Sequence, residues 1–403
     1  MTRQTGSRPR VGPALAALGL LYLVSQFARN SLGVIAGDLE ADLGVKSTQT
    51  ALLAGALFGA YGLAQMPAAR LLATVGPRVV VPAAGVLLAL ALYGFSYAEH
   101  FAGLFAFRVL MGLAAAPMIA GSLKILMDIA GEARFAELSG WQTTFGRTGV
   151  VVATMPLALL VTAEGWRTDF AWSGLATIAV ALLAALAVTR AADAGTPSST
   201  LRADAPVAAL LRRPVVIAAI AFQGMTAAVG GVLLGLWGGP WLNDVYGMSV
   251  TMRGFTLMVM AVAWAASAAF WGSVAQRNPH PVRLAVAGGY LVALLLTVAA
   301  VWPMPLAALV AWLALVGVAT GSYPVVLAQV RTAVPKDALV QITAILTAGT
   351  MLIVFAVQVA TGLVLDAFPG SPGHHPPDAY AAIFWLMGVL IAAAAFVLGR
   401  TVR

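Results

Sequence analysis

Apolar residues in this chain come in long unbroken runs, without the alternation that marks a half-buried soluble helix or strand. Charges, prolines and glycines break the sequence into runs at 13–36, 48–72, 79–98, 102–126, 138–162 and 169–190. A second set follows at 214–240, 254–276, 281–302, 305–330, 338–366 and 379–400. Each is near the roughly 20 residues that cross a hydrocarbon core. The pattern predicts an all-α membrane protein of twelve transmembrane helices.

Six runs fall on each side of one polar stretch, Thr189 to Arg213, which holds Asp193, Gly195, Pro197, Ser198, Ser199, Asp204, Arg212 and Arg213. Such a composition suits a solvated connection. The expected organisation is therefore a six-helix bundle over 1–190, a linker over 191–213 and a second bundle over 214–403.

Composition strengthens this picture. The 403 residues are 61% hydrophobic and 9% charged, with mean hydropathy +0.92, against about 25% charged in soluble domains. The basic start, Met1 to Arg10, resembles the head of a signal peptide, but the apolar run behind it is too long and contains Arg29. It is expected to be a retained first helix. Without cysteine there is no disulfide, thiolate metal site or thiol nucleophile.

The net charge of +8 does not point to nucleic acid, because the basic residues lie in short loops between apolar runs. With the N-terminus inside, 17 of the 23 Lys and Arg fall in cytoplasmic segments, three outside (Lys46, Arg167, Arg253) and three within helices (Arg29, Arg108, Arg147). The positive-inside rule then puts both termini in the cytoplasm. The expected location is a cell membrane, with the bacterial inner membrane the natural setting. Trp166, Trp172, Trp241 and Trp302 fall near span ends and read as headgroup anchors, while Trp237, Trp264 and Trp312 lie deeper and read as helix packing or cavity lining.

A repeat links the two sets of runs. Pro67-Ala68-Ala69-Arg70-Leu71-Leu72-Ala73-Thr74-Val75-Gly76-Pro77-Arg78 follows the second run, and Gly272-Ser273-Val274-Ala275-Gln276-Arg277 follows the eighth, about half the chain later. These segments resemble the loop signature of the major facilitator superfamily. Arg108, Gly112, Ala115 and Ala116 in the fourth run and Gly165-Trp166-Arg167 before the sixth are similar to further features of that family. The resemblance implies two homologous six-helix halves moving about a central site, with Gly76, Arg78, Gly272 and Arg277 in the gating loops. The loop Asp-Arg pair of the family is replaced here by Ala73-Thr74, and Gln276 precedes Arg277, so the cytoplasmic latch that the Asp implies is weakened. Gln26-Phe27-Ala28-Arg29-Asn30-Ser31-Leu32 with Leu43-Gly44, together with Arg108, looks most like the organic-anion branch that includes sugar-acid transporters. Members of that branch carry acids where this chain has Ala28 and Ala115.

A buried Arg costs about 2.5–3.5 kcal/mol at mid-helix on insertion scales, so three call for a use. At 1.5 Å per residue, Arg29 lies about 24 Å along the first run, Arg108 about 9 Å along the fourth from the opposite side, and Arg147 about 14 Å into the fifth. Tyr22, Ser25 and Gln26 share helical spacing with Arg29, and Gln142 and Thr143 with Arg147. Guanidinium groups bind carboxylate or phosphate in bidentate fashion. Each can equally cap backbone carbonyls. In the second half, Gln223, Thr226, Tyr323, Thr343, Thr347, Thr350 and Gln358 offer polar contacts to substrate or to neighbouring helices, and Gly239-Pro240 at the end of the seventh run offers a hinge.

No Asp, Glu or His falls mid-span, so a proton relay by a buried acid or histidine is not expected. No Gly-Lys-Ser or Gly-Lys-Thr phosphate loop, His-Glu-x-x-His motif or ligand cluster is present, and no catalytic residue, cofactor or metal is implied. The sequence thus predicts a monomeric secondary transporter of a small anionic solute, an organic carboxylate, with a coupling ion left open. A drug or metabolite exporter and a non-transporting receptor on the same fold stay as alternatives.

Overall fold

The structure is a computed structural model that describes residues 11–191, 207–334, 339–371 and 373–401. The described chain is helical throughout apart from short connections. The first half comprises α1 (Val11–Asn30), α2 (Leu32–Leu43), α3 (Ser47–Thr74), α4 (Pro77–Tyr97), α5 (Phe101–Ala115), α6 (Met118–Ala130), α7 (Phe135–Val152), α8 (Met155–Glu164) and α9 (Trp166–Ala191). After α10 (Val207–Leu211), the second half runs through α11 (Pro214–Leu233), α12 (Gly238–Tyr246), α13 (Val250–Arg277), α14 (Pro281–Val301), α15 (Leu306–Ala319), α16 (Tyr323–Ala333), α17 (Leu339–Asp366) and α18 (Pro377–Arg400).

Among the described residues nine of these helices are long and apolar enough to span a membrane singly, α5 with α6 and α15 with α16 make two more spans, and α7 with α8, bent by 43°, makes a twelfth. The twelve runs and the twelve spans coincide, but several spans are broken. The first is interrupted at Ser31, the fourth at Ala116-Pro117, the fifth at Ala153-Thr154, the seventh between Leu233 and Gly238, and the tenth between Ala319 and Tyr323. Pro117, Pro156 and Pro324 lack the N–H that would continue the ladder and crowd the preceding carbonyls. Each break offers a hinge within its span. Of the expected linker, 192–206 lie outside the described residues, and α10 shows that its end is helical.

Twelve crossings return the chain to the side on which it began, here called the terminus face; the opposite side is the far face. Within the first half α4 packs on α9, α1 on α7 and α3 on α5; within the second, α14 packs on α18, α13 on α15 and α11 on α17. The halves meet chiefly where α3 runs antiparallel to α17, with α2 on α12 and α8 on α13 beside it. The α3–α17 seam starts at Ser47 against Asp366 and continues to Gly62, where a Cβ would lie 3.0 Å from the Ala348 carbonyl. That is about 22 Å of helix, beginning at the far face. Beyond it, Leu63 and Leu71 on α3 are 69% and 50% exposed.

The far-face seam depends on glycine. A Cβ at Gly33 would meet the Leu234 carbonyl oxygen at 2.1 Å, and one at Gly239 would meet the Gly33 carbonyl oxygen at 2.3 Å. Backbone touches backbone where the first and seventh spans are both broken.

Two of the expected headgroup anchors are interior. Trp166 is buried and donates to Asp42 Oδ2 at 2.9 Å, and Trp241 is buried among Tyr246, Trp312 and Phe384. Their amphipathic rings found protein partners instead of lipid. Trp172 and Trp302 are exposed. Trp237 and Trp312 are packed, with indole N–H groups on Thr361 Oγ1 and the Leu295 carbonyl.

Candidate functional site

The three membrane arginines have three different environments. Arg108 is fully buried within the first half, where Nε donates to the Leu53 carbonyl at 2.9 Å and Nη1 to the Ala28 carbonyl at 2.7 Å. It ties α5 to α3 and α1, and only its Nη2 is unpartnered. The expectation that it faces a substrate beside Arg29 does not match this geometry, in which two backbone oxygens from neighbouring helices occupy the guanidinium.

Arg29 is 8% exposed, yet its Nε and Nη2 have no hydrogen-bond partner. Its guanidinium lies over the Tyr61 ring, 3.9 Å from the centroid. A cation–π contact contributes about 0.5–2 kcal/mol, short of the several kcal/mol that desolvating a charge costs. Among the described residues no acid pairs with Arg29, and the preceding residue is Ala28. Here a buried cation is left with donors free.

Arg147 spans the halves. Its Nη1 donates to the carbonyls of Trp264 and Ala265 on α13, and its guanidinium sits over the Trp264 ring at 5.0 Å. Tyr22 on α1 lies within electrostatic reach of Arg29, Arg147, Tyr61 and Tyr323. Tyr323 begins α16, just after the break in the tenth span. Since Tyr22 and Tyr323 come from opposite halves, the cluster lies between the bundles, and both rings are only partly buried.

The Tyr22 ring rests on Gly146 of α7, where a Cβ would come within 2.1 Å of a ring carbon. Glycine at that position sets the depth of the phenol. Ser25 Oγ and Gln26 Oε1 on α1 and Gln223 Oε1 on α11 are buried without partners. These atoms and the two arginines furnish hydrogen-bond donors and acceptors.

Other expected site residues have local duties. Gln142 is fully buried and its Nε2 donates to the Leu18 carbonyl at 3.1 Å, joining α7 to α1. Thr347 donates to the Thr343 carbonyl within its own helix. Gln358 Nε2 donates to the Gly231 carbonyl, joining α17 to α11. Tyr61 was not among the sequence candidates; a lone phenol in the run Gly59-Ala60-Tyr61-Gly62 was the available signal.

At the terminus face, Gly76 caps α4 with φ of +95°, a conformation that favours glycine. Gly272 lies inside α13 with open space around it, and Arg277 is exposed in the last turn. Among the described residues the ion pairs are Lys124–Asp128, Arg134–Glu137 and His375–Glu40. None bridges the halves at the terminus face. Gly239 and Pro240, by contrast, stand in the far-face seam.

The family model of the Major Facilitator Superfamily matches residues 18–308. A probable L-galactonate transporter of Escherichia coli (strain K12) is 26% identical over 169 residues, 42% of this chain and 37% of that protein. The match thus spans little more than a third of the relative's length. Among solved structures, a bacterial homologue of the human lysosomal transporter Spinster, in an inward-facing and occupied conformation, superposes with a TM-score of 0.79 at 18% identity, covering 98% of this chain and 96% of that one. A D-xylose-proton symporter superposes with a TM-score of 0.76 at 13% identity, covering 97% and 98%. These likenesses establish the twelve-helix fold.

Proposed function

We propose that this chain, which belongs to the major facilitator superfamily, carries a small organic anion by alternating access, with Arg29 as the charge that holds the substrate carboxylate. The observation that carries this reading is the Arg29 guanidinium, 8% exposed, stacked on Tyr61 and without a partner for Nε or Nη2. A carboxylate supplies the two acceptors such a fork lacks and neutralises the charge. Arg147, Tyr22, Tyr323, Gln26 and Gln223 surround the remaining substrate polar groups from both halves. The name of the partial relative, a galactonate transporter, supports a sugar acid as the class of solute.

The seam supports alternating access. The halves are joined from the far face to about mid-bundle, so the cluster opens toward the terminus face. The positive-inside asymmetry supports a cytoplasmic terminus face and an extracellular or periplasmic far face. The state described is then the inward-open one. Outward opening requires the α3–α17 seam and the Gly33–Gly239 contact to part.

The reading is tested by uptake or counterflow of labelled hexonates and neutral hexoses in proteoliposomes. Wild type should move the hexonate and not the hexose, and Arg29→Ala should abolish that flux. Hexose flux without hexonate flux, or undiminished hexonate flux in Arg29→Ala, would overturn it. Flux of apolar cations alone would favour an exporter.

A further inference from the structure

The far-face seam holds a buried acid–base pair that the carrier site does not use. His375, in the loop between α17 and α18, places Nε2 3.5 Å from Glu40 Oε2 on α2 and 3.0 Å from Ser47 Oγ on α3. The two side chains are 7% and 2% exposed. Glu40 also accepts from the Gly373 N–H at 3.1 Å, while Glu40 Oε1 and His375 Nδ1 have no partner. Glu40 and Ser47 belong to the first half and His375 and Gly373 to the second, so these contacts close the gap between them. Asp366 of α17 joins the same seam, accepting from the Ser47 and Thr48 backbone N–H groups at 3.0 Å each and capping α3 across the interface.

We propose that Glu40 and His375 form a proton-binding site that couples closure of the far face to the pH of the compartment on that side. A carboxylate and an imidazole taken together out of water are least costly as a net-neutral pair sharing one ionisable proton. That proton sits on the imidazole as an ion pair or on the carboxyl, and the charge count is the same. When the seam opens, both groups meet water, where a histidine loses its proton near pH 6.5 and a glutamate near pH 4.3. Between those values opening leaves the proton count unchanged. Above about 6.5 closure takes up one proton from far-side water, and the closed-to-open ratio falls up to tenfold per pH unit. Below about 4.3 closure releases one proton, and the ratio falls again.

The surrounding charges are consistent with a pair that needs its proton. Asp244 of α12 accepts from the His375 backbone N–H at 2.9 Å and from Tyr380 Oη of α18 at 2.7 Å. The Tyr380 phenol and Arg253 of α13 belong to the same electrostatic neighbourhood as Asp244 and Glu40, and Asp38 faces Arg253 and Asp42. The Trp237 and Tyr380 rings pack edge-on against His375. Acids outnumber bases here, so an imidazole without its added proton leaves Glu40 a buried, uncompensated anion.

Hydrogen–deuterium exchange of the intact protein in lipid nanodiscs tests this, because it reports rare openings as well as populated ones. The amides of Ser47, Thr48 and Gly373 donate across the seam, so their exchange, corrected for intrinsic rate, measures its opening. In wild type their protection should be flat from pH 5 to 6.5 and fall by up to tenfold per unit from 6.5 to 8.5. Glu40→Gln should remove the fall above 6.5, and the Glu40→Gln, His375→Gln double variant should leave the profile flat across the range. Protection in wild type that does not change across the range, or a fall that persists in both variants, would overturn the proposal. Failure of the Arg29 flux test would leave this result standing, since the amides report the seam and not the anion.

Discussion

Arg108 on α5 and Arg29 on α1 are both buried, and their surroundings differ in one respect. Arg108 donates to the carbonyl of Ala28 and to that of Leu53; Arg29, the next residue along, leaves Nε and Nη2 unpaired over Tyr61. Burial is common to both. What separates a structural cation from a binding cation here is whether the protein has already supplied the acceptors. The family branch to which this chain is similar places acids beside such arginines, and alanine at 28 and 115 removes that internal partner. In the proposed reading a substrate anion is the acceptor that completes Arg29.

The largest effect that sharpens the contrast is on Arg108. Arg108→Ala strips the Ala28 and Leu53 carbonyls of their donor, and each buried group left unpaired costs about 1–3 kcal/mol. A drop of several degrees in the detergent melting midpoint is expected, while the surviving folded fraction keeps its ligand affinity within about threefold. A large affinity loss with an unchanged midpoint would move Arg108 into the binding site.

Next comes the aromatic floor. Tyr61→Leu removes the ring beneath Arg29, worth about 0.5–2 kcal/mol, and should weaken anion binding roughly 2- to 30-fold in equilibrium titration. Tyr61→Phe keeps the ring and should stay near wild type. Equal losses in both would assign the effect to the phenol oxygen instead.

The smallest expected effect is indirect. Gly146→Ala drives a methyl toward the Tyr22 ring, 2.1 Å from a carbon in the present geometry, so the phenol must shift. KM for the anion should rise a few-fold with little change in the melting midpoint. An unchanged KM would show that Tyr22 does not touch substrate.

Much of this fold was legible because lipid imposes a length on every apolar run, and twelve such runs leave little choice of architecture. The break at Ser31 was less legible, since no proline stands there to mark it. Arg29 and Arg147 stood out in sequence because a membrane makes any charge conspicuous. What residue spacing could not supply was the other end of each hydrogen bond. Arg108 and Gln142 bond to carbonyls 55 to 124 residues away, and carbonyls have no sequence signature. The same limit hid Glu40 and His375, 335 residues apart, until the seam brought them together. A buried acid and histidine exist after all, at the far face and not at mid-span.

The central claim, that the unpaired guanidinium of Arg29 binds the substrate anion, is met most directly by a thermal-shift titration of purified wild type and Arg29→Ala with a hexonate and its neutral hexose. A ligand that binds only the folded state must raise its melting midpoint. The account predicts that the hexonate, and not the hexose, stabilises wild type, that Arg29→Ala loses this shift entirely, and that its own unliganded midpoint is no lower, since a buried unpaired charge has been removed. An Arg29→Ala protein that keeps the full hexonate shift, or that melts well below wild type without ligand, would contradict it.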